Sequence, residues 1–192
     1  MILSKLNEGD ALLDFVGPLG AATELDGVKK ACVIGGGVGC AIAYPSAKAL
    51  FKNGAKVDVI AGFRNKDIVI LEDEFKNVCD NLYITTDDGS AGTKGTVIVK
   101  MEELMNSKKF DMVFTCGPHK MMEAVAKTSS KYNTECEISL EERMACGVKA
   151  CVGCSIKTRE GMKKVCHDGP VFKSETIVDL EPAERTETCC GN

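Results

Sequence analysis

The sequence predicts an α/β protein: a five-stranded doubly wound parallel sheet followed by a small cysteine-rich C-terminal segment. Three observations predict it. Five short apolar runs alternate with helix-compatible segments across residues 28–140, the pattern of a parallel sheet covered on both faces. The first run ends in a glycine-rich turn, Gly35-Gly36-Gly37-Val38-Gly39, that opens a helix. After Leu140 the texture becomes rich in Cys and Gly with no long periodic element. Such a segment needs something other than apolar burial to hold it, and a metal centre would serve.

The elements follow in order. Residues 1–27 hold short apolar pieces between turn signals: Glu8-Gly9-Asp10, Gly17-Pro18-Leu19-Gly20 and Asp26-Gly27; residues 11–17 (ALLDFVG) read as one strand. Residues 31–36 form the first strand of the sheet. Residues 38–53 are a helix, with Ile42, Ala43, Ala47, Leu50 and Phe51 at helical spacing and Asn53-Gly54 ending it. Strands are expected at 56–62, 82–87, 112–117 and 134–140, and helices at 66–77, 97–107 and 118–131. The last helix carries Pro118 in its first turn, where proline is tolerated. Residues 87–95 are expected to be a loop, and residues 179–192 a tail.

Composition narrows the function. The chain has 192 residues, 44% hydrophobic and 27% charged, as in a soluble globular protein. A formal net charge of -4 gives no support for nucleic-acid binding, which shows a basic patch or stripe. No stretch approaches the roughly 20 apolar residues of a membrane-spanning helix, and residues 1–10 lack the apolar core of a signal peptide. A cytoplasmic location is therefore expected. Eleven cysteines in a reducing compartment point to metal binding or redox chemistry, not to disulfides.

Four of them cluster as Cys146-x4-Cys151-x2-Cys154-x11-Cys166. The first two spacings match the plant-type [2Fe–2S] pattern. Two sulfide-bridged irons each need two thiolates; a tight loop supplies three cysteines and a separate segment the fourth. Gly147 and Gly153 let the backbone turn its N–H groups toward the sulfurs. A zinc site with four cysteine ligands is the alternative, although such sites usually show two C-x2-C knuckles and this chain has one. His119 and His167 are expected to be incidental, and Cys189-Cys190 to lie in the tail.

Two turns are candidates for a dinucleotide. Glycines at 35, 36, 37 and 39 let a pyrophosphate approach the backbone and the helix N-terminus. The turn is not a full Rossmann fingerprint, because Cys40 stands where the last glycine belongs. The second strand ends in Gly62-Phe63-Arg64, with no acid for a ribose hydroxyl; Arg64 is either a solvated loop charge or a contact to the adenosine end. Cys116-Gly117-Pro118 closes the fourth strand. In a 3-2-1-4-5 sheet the first and fourth strands flank the switch point, so both turns face one crevice.

In this order, the GGGVG turn, the CGP turn and the cysteine cluster resemble the ferredoxin-reductase-like electron-transfer subunits. EERMACGVKACVGC and KKVCHDGPVF look like the electron transfer subunit of NAD-dependent dihydroorotate dehydrogenase. RNKDIVILEDEF and YITTDDGSAGTKG resemble the small subunit of NADH-dependent reduced ferredoxin:NADP oxidoreductase. The resemblance implies a ferredoxin-reductase type of NAD domain (28–140) and a [2Fe–2S] subdomain (141–178). It implies electron relay between NAD(H), via FAD, and a catalytic flavoprotein subunit in a hetero-oligomer, in the first case serving pyrimidine biosynthesis. It assigns Cys146, Cys151, Cys154 and Cys166 to the cluster. Gly35, Gly36, Gly37 and Gly39 fall to the dinucleotide phosphates and Cys116-Gly117-Pro118 to the nicotinamide, while Gly62 and Arg64 remain dinucleotide candidates on their place after the second strand alone. The family has an N-terminal flavin-binding β-barrel, and residues 1–27 resemble only its last strand and GPLG exit. The expectation is a fragment, or a barrel on another polypeptide, and weak FAD binding by this chain alone. The reading outside redox chemistry is a nucleotide-binding module with structural zinc.

Overall fold

The structure, a computed structural model, describes residues 3–14 and 16–178. In chain order the elements are β1 (Lys30–Gly36), α1 (Gly39–Lys52), β2 (Lys56–Phe63), α2 (Glu72–Lys76), β3 (Asn81–Thr86), β4 (Thr93–Lys94), α3 (Val97–Ser107), β5 (Met112–Cys116), α4 (His119–Lys131), β6 (Glu135–Ser139), β7 (Ser155–Thr158), β8 (Gly161–Lys164), α5 (Val165–Asp168) and β9 (Val171–Lys173). Short 3-10 turns stand at Leu3–Lys5, Lys66–Ile68 and Ser174–Thr176.

The main sheet runs β4-β3-β2-β1-β5-β6-β9. Its five central strands are parallel and in the expected 3-2-1-4-5 order. Two short edge strands, β4 parallel and β9 antiparallel, extend it to seven. Strand alternation divides the core. Cys32, Ile34 and Val113 face Met101, Leu104, Met122 and Val125 from α3 and α4. Ala31, Val33, Met112 and Phe114 face Cys40, Ala43, Ala47 and Leu50, which recur along one side of α1. β1 and β5 are therefore apolar almost throughout because both their faces are covered.

Carboxylates tie the amino ends of the strands. Asp111 accepts from the N–H groups of Lys29 and Lys30, each at 2.9 Å, and Asp80 from Val57 N–H at 2.8 Å. Asp58, only 5% exposed, accepts from Asn81 Nδ2 at 2.7 Å and Lys108 Nζ at 2.5 Å.

Four expectations change. The helix expected over 66–77 is broken: Asn65 caps the 3-10 turn, Val69 is extended, and Leu71 sits at φ 59 before α2 begins. No strand appears among the described residues of 11–17, where Leu12, Leu13 and Val16 are exposed. Apolar alternation makes a strand only where a ladder partner exists. The loop at 87–95 includes the two-residue β4. Residues 141–178 contain the β7–β8 hairpin and donate β9 to the sheet edge. Their buried Cys154, Val165, Cys166 and Ile177 share one apolar cluster with Cys136, Ile138 and Leu140. The expected tail, with Cys189 and Cys190, lies outside the described residues.

Candidate functional site

The four clustered cysteines converge. Cys146 and Cys151 lie on the loop after β6 and are half-buried; Cys154 and Cys166 are 2% and 6% exposed. Val165 N–H donates to the Cys154 carbonyl at 3.1 Å, which brings the segment bearing Cys166 alongside. The Cys166 thiol lies near those of Cys154 and Cys146, and the Cys146 thiol near that of Cys151. Four thiols brought together are the donor set of a [2Fe–2S] cluster or of a four-cysteine zinc ion.

The loop backbone is shaped for negatively charged sulfur. Gly147 at φ 67 and Lys149 at φ 65 turn successive N–H groups inward, forming an anion-binding concavity. Cys151 N–H donates to Cys146 Sγ at 3.3 Å, and Gly153 N–H to Cys151 Sγ at 3.5 Å. The N–H groups of Val148 and Ala150 also face Cys146, and that of Lys149 faces Cys166. The Cys151 N–H, foremost, and then that of Val148 lower the Cys146 pKa to about 7. The GPLG turn braces the site: Leu19 Cδ1 lies 3.8 Å from where a Gly147 Cβ would be, and Ala21 N–H donates to the Gly169 carbonyl at 2.7 Å. The short exposed apolar residues of that turn left no sequence signal for this contact.

The two turns at the carboxyl edge also meet. Gly35 of β1 is in register with Cys116 of β5. A Cβ on Gly39 would stand 2.7 Å from both the carbonyl carbon of Cys116 and the Cα of Gly117. One on Gly35 would reach Cys40 Sγ at 2.7 Å, one on Gly117 would reach Met121 Cε at 2.8 Å, and one on Gly36 would strike Met121 and Pro118. These glycines pack helix on strand and turn on turn. Gly62 does the same under Val97 of α3. Gly37 differs: it sits at φ 56 with nothing within 4 Å of its Cβ position, so it alone of the turn's glycines opens onto free space.

Cys116 is 4% exposed, and burial pushes its thiol up to about 11. The Ser139 hydroxyl opposes that shift and the Glu141 carboxylate adds to it. Both stand at the carboxyl end of β6, and their place beside the CGP turn follows from sheet order, not from any local motif. Beyond β2, Arg64 is exposed. Asp87 N–H donates to the Phe63 carbonyl at 3.1 Å and Asp88 N–H to the Arg64 carbonyl at 3.4 Å. The backbone after β3 thus runs alongside the end of β2. Asp88 is held by Ser90, whose N–H and hydroxyl donate to it at 2.9 and 2.6 Å. His167 hydrogen-bonds Asp168 at 3.0 Å.

Residues 141–178 match the iron-sulfur cluster binding domain of dihydroorotate dehydrogenase B, and residues 33–127 the oxidoreductase NAD-binding domain. The chain is 39% identical over 175 residues to the dihydroorotate dehydrogenase B (NAD(+)) electron transfer subunit homolog of Thermotoga maritima, covering 91% of this chain and 62% of that protein. It is 40% identical over 183 residues to the dihydroorotate dehydrogenase B (NAD(+)) electron transfer subunit of Streptococcus pneumoniae serotype 4, covering 92% and 71%. A chain in the solved NADH-dependent reduced ferredoxin-NADP oxidoreductase superposes with a TM-score of 0.83 at 39% identity, over 92% of this chain and 63% of that one.

Fold and matches together define an oxidoreductase component with an NAD-binding domain and an iron–sulfur-binding domain. The chain belongs to the family of dihydroorotate dehydrogenase B electron transfer subunits. It spans about two thirds of the length of the curated relatives it matches, from 62% to 71%.

Proposed function

We propose that this chain relays electrons between NAD(H), via FAD, and the catalytic flavoprotein subunit of an NAD-dependent dihydroorotate dehydrogenase. The observation that carries the reading is the convergence of four cysteines, on one loop and the segment alongside it, beneath inward N–H groups. Cys146, Cys151, Cys154 and Cys166 would hold a [2Fe–2S] cluster. Such a cluster supplies one-electron transfer. The surrounding N–H groups stabilise the thiolates and the added charge of reduction.

The dinucleotide half rests on the carboxyl-edge crevice between the Gly35–Gly39 and Cys116–Pro118 turns. Gly37 leaves room for the phosphates at the N-terminus of α1, whose helix dipole favours anions. Cys116, with its thiol protonated, presents a neutral wall to the nicotinamide. The similarity to NAD(+)-linked relatives favours NAD over NADP.

The second reading, the small subunit of an NADH-dependent ferredoxin:NADP oxidoreductase, is favoured by the superposition on that enzyme. Identifying the subunit that co-purifies anaerobically with the tagged chain, then adding NADH, separates the two. A dihydroorotate-oxidising flavoprotein and visible bleaching by NADH are expected. A ferredoxin:NADP oxidoreductase large subunit would establish the alternative. A complex bleached by dithionite but never by NADH would contradict both.

A further inference from the structure

The loop bearing Cys146 and Cys151 is held from outside by one side chain. Lys149, between those cysteines, has φ 65, a left-handed backbone uncommon for a residue with a Cβ. Its N–H faces inward to Cys166. Its carbonyl accepts a 2.7 Å hydrogen bond from the ammonium of Lys164, fifteen residues away.

Lys164 is itself well placed for this. Its N–H donates to Asp168 Oδ2 at 2.7 Å, and it pairs in register with Ser155, the residue after Cys154. The next residue, Val165, donates to the Cys154 carbonyl at 3.1 Å. Two residues after Lys164 comes Cys166. Lys164 is thus tied to the segments that carry all four cysteines.

We propose that Lys164 is a positioning residue for the cluster: its ammonium pins the Lys149 peptide, so that the N–H groups of residues 148–151 stay aimed at the sulfurs of Cys146 and Cys166. The inference rests on the reading of the four cysteines as [2Fe–2S] ligands. Reduction adds one negative charge to the centre. Donors fixed toward the sulfurs stabilise that charge, and donors that swing freely lose part of the effect to reorientation. Releasing the pin therefore favours the oxidised form and loosens the cluster.

The test compares the full chain, purified anaerobically, with its Lys164→Met and Lys164→Arg variants. Midpoint potential is followed by the electron paramagnetic resonance signal of the reduced cluster, and stability by iron release to a chelator. Lys164→Met is expected to shift the potential to more negative values and to speed iron release about tenfold, as loss of a supporting contact to a metal site does. Lys164→Arg, which keeps donor and charge, is expected to stay near the native values. Circular dichroism is expected to show the sheet unchanged in both. A Lys164→Met variant with native potential and native iron release would overturn the pin. So would a potential shift that vanishes in about 1 M salt, where exposed charges are screened beyond about 3 Å. A native chain with no reduced-cluster signal would instead overturn the ligand assignment beneath the proposal.

Discussion

Gly39, the first residue of α1, lies so close to Cys116 that a Cβ would stand 2.7 Å from its carbonyl carbon. The first turn of α1 and the turn after β5 are therefore one packed unit. Gly39→Ala is expected to push them apart, with an overpacking cost of about 1–3 kcal/mol that exceeds the gain from alanine's better helix propensity. Denaturant unfolding checks stability and calorimetry checks NADH affinity; both are expected to fall.

Gly37 predicts the opposite split. Its Cβ position is open but its φ is 56, a region asparagine enters more readily than β-branched residues do. Gly37→Asn is expected to cost no more than about 1 kcal/mol of stability. It is expected to weaken NADH binding by placing a side chain where the phosphates pass. Unchanged affinity would remove Gly37 from the site.

The pair at the opposite edge of the sheet bears on stability alone. Lys108 donates to the buried carboxylate of Asp58, and that hydrogen bond, first among its causes, raises the Lys108 pKa above the usual 10.5. A raised folded-state pKa means a contribution complete below about pH 10.5 and lost as pH climbs through the folded value. Lys108→Met is expected to cost about 1 kcal/mol at pH 7, the low end for a charged hydrogen bond because the lysine is partly exposed. Unfolding measured from pH 7 to 11.5 is expected to show the two proteins converging at the alkaline end.

Cys116 is expected to be chemically quiet. Burial pushes its thiol up to about 11, so at pH 8 almost no thiolate is present to react. Iodoacetamide followed by peptide mass spectrometry is expected to label Cys116 only after unfolding. Labelling in the folded protein would show a thiol more exposed than this packing allows.

Much of this was legible in advance because it rests on patterns that local chemistry enforces. The helix at Val97–Ser107 matches its expected span, since Val97, Met101, Leu104 and Met105 recur at helical spacing. The five central strands are apolar runs that burial on both faces demands. What escaped depends on partners distant in sequence. β4 and β9 have two and three residues, too few for any periodicity. The break at Leu71 is one left-handed residue without glycine to announce it. Within the site, the cysteine spacing located its own loop, because metal ligation needs fixed intervals. The glycine turn did not reveal which glycines pack and which opens to space, since that depends on Cys40, Cys116 and Met121 coming from other elements. The backbone bonds from Asp87 and Asp88 to the end of β2 and the Lys164–Lys149 contact were invisible for the same reason.

The central claim is that Cys146, Cys151, Cys154 and Cys166 hold a [2Fe–2S] cluster, and iron, zinc and acid-labile sulfide analysis of the anaerobically purified chain tests it most directly. About two irons and two sulfides per chain are expected, with both lost in Cys151→Ser while circular dichroism still reports a folded sheet. One zinc per chain and no sulfide would contradict the account.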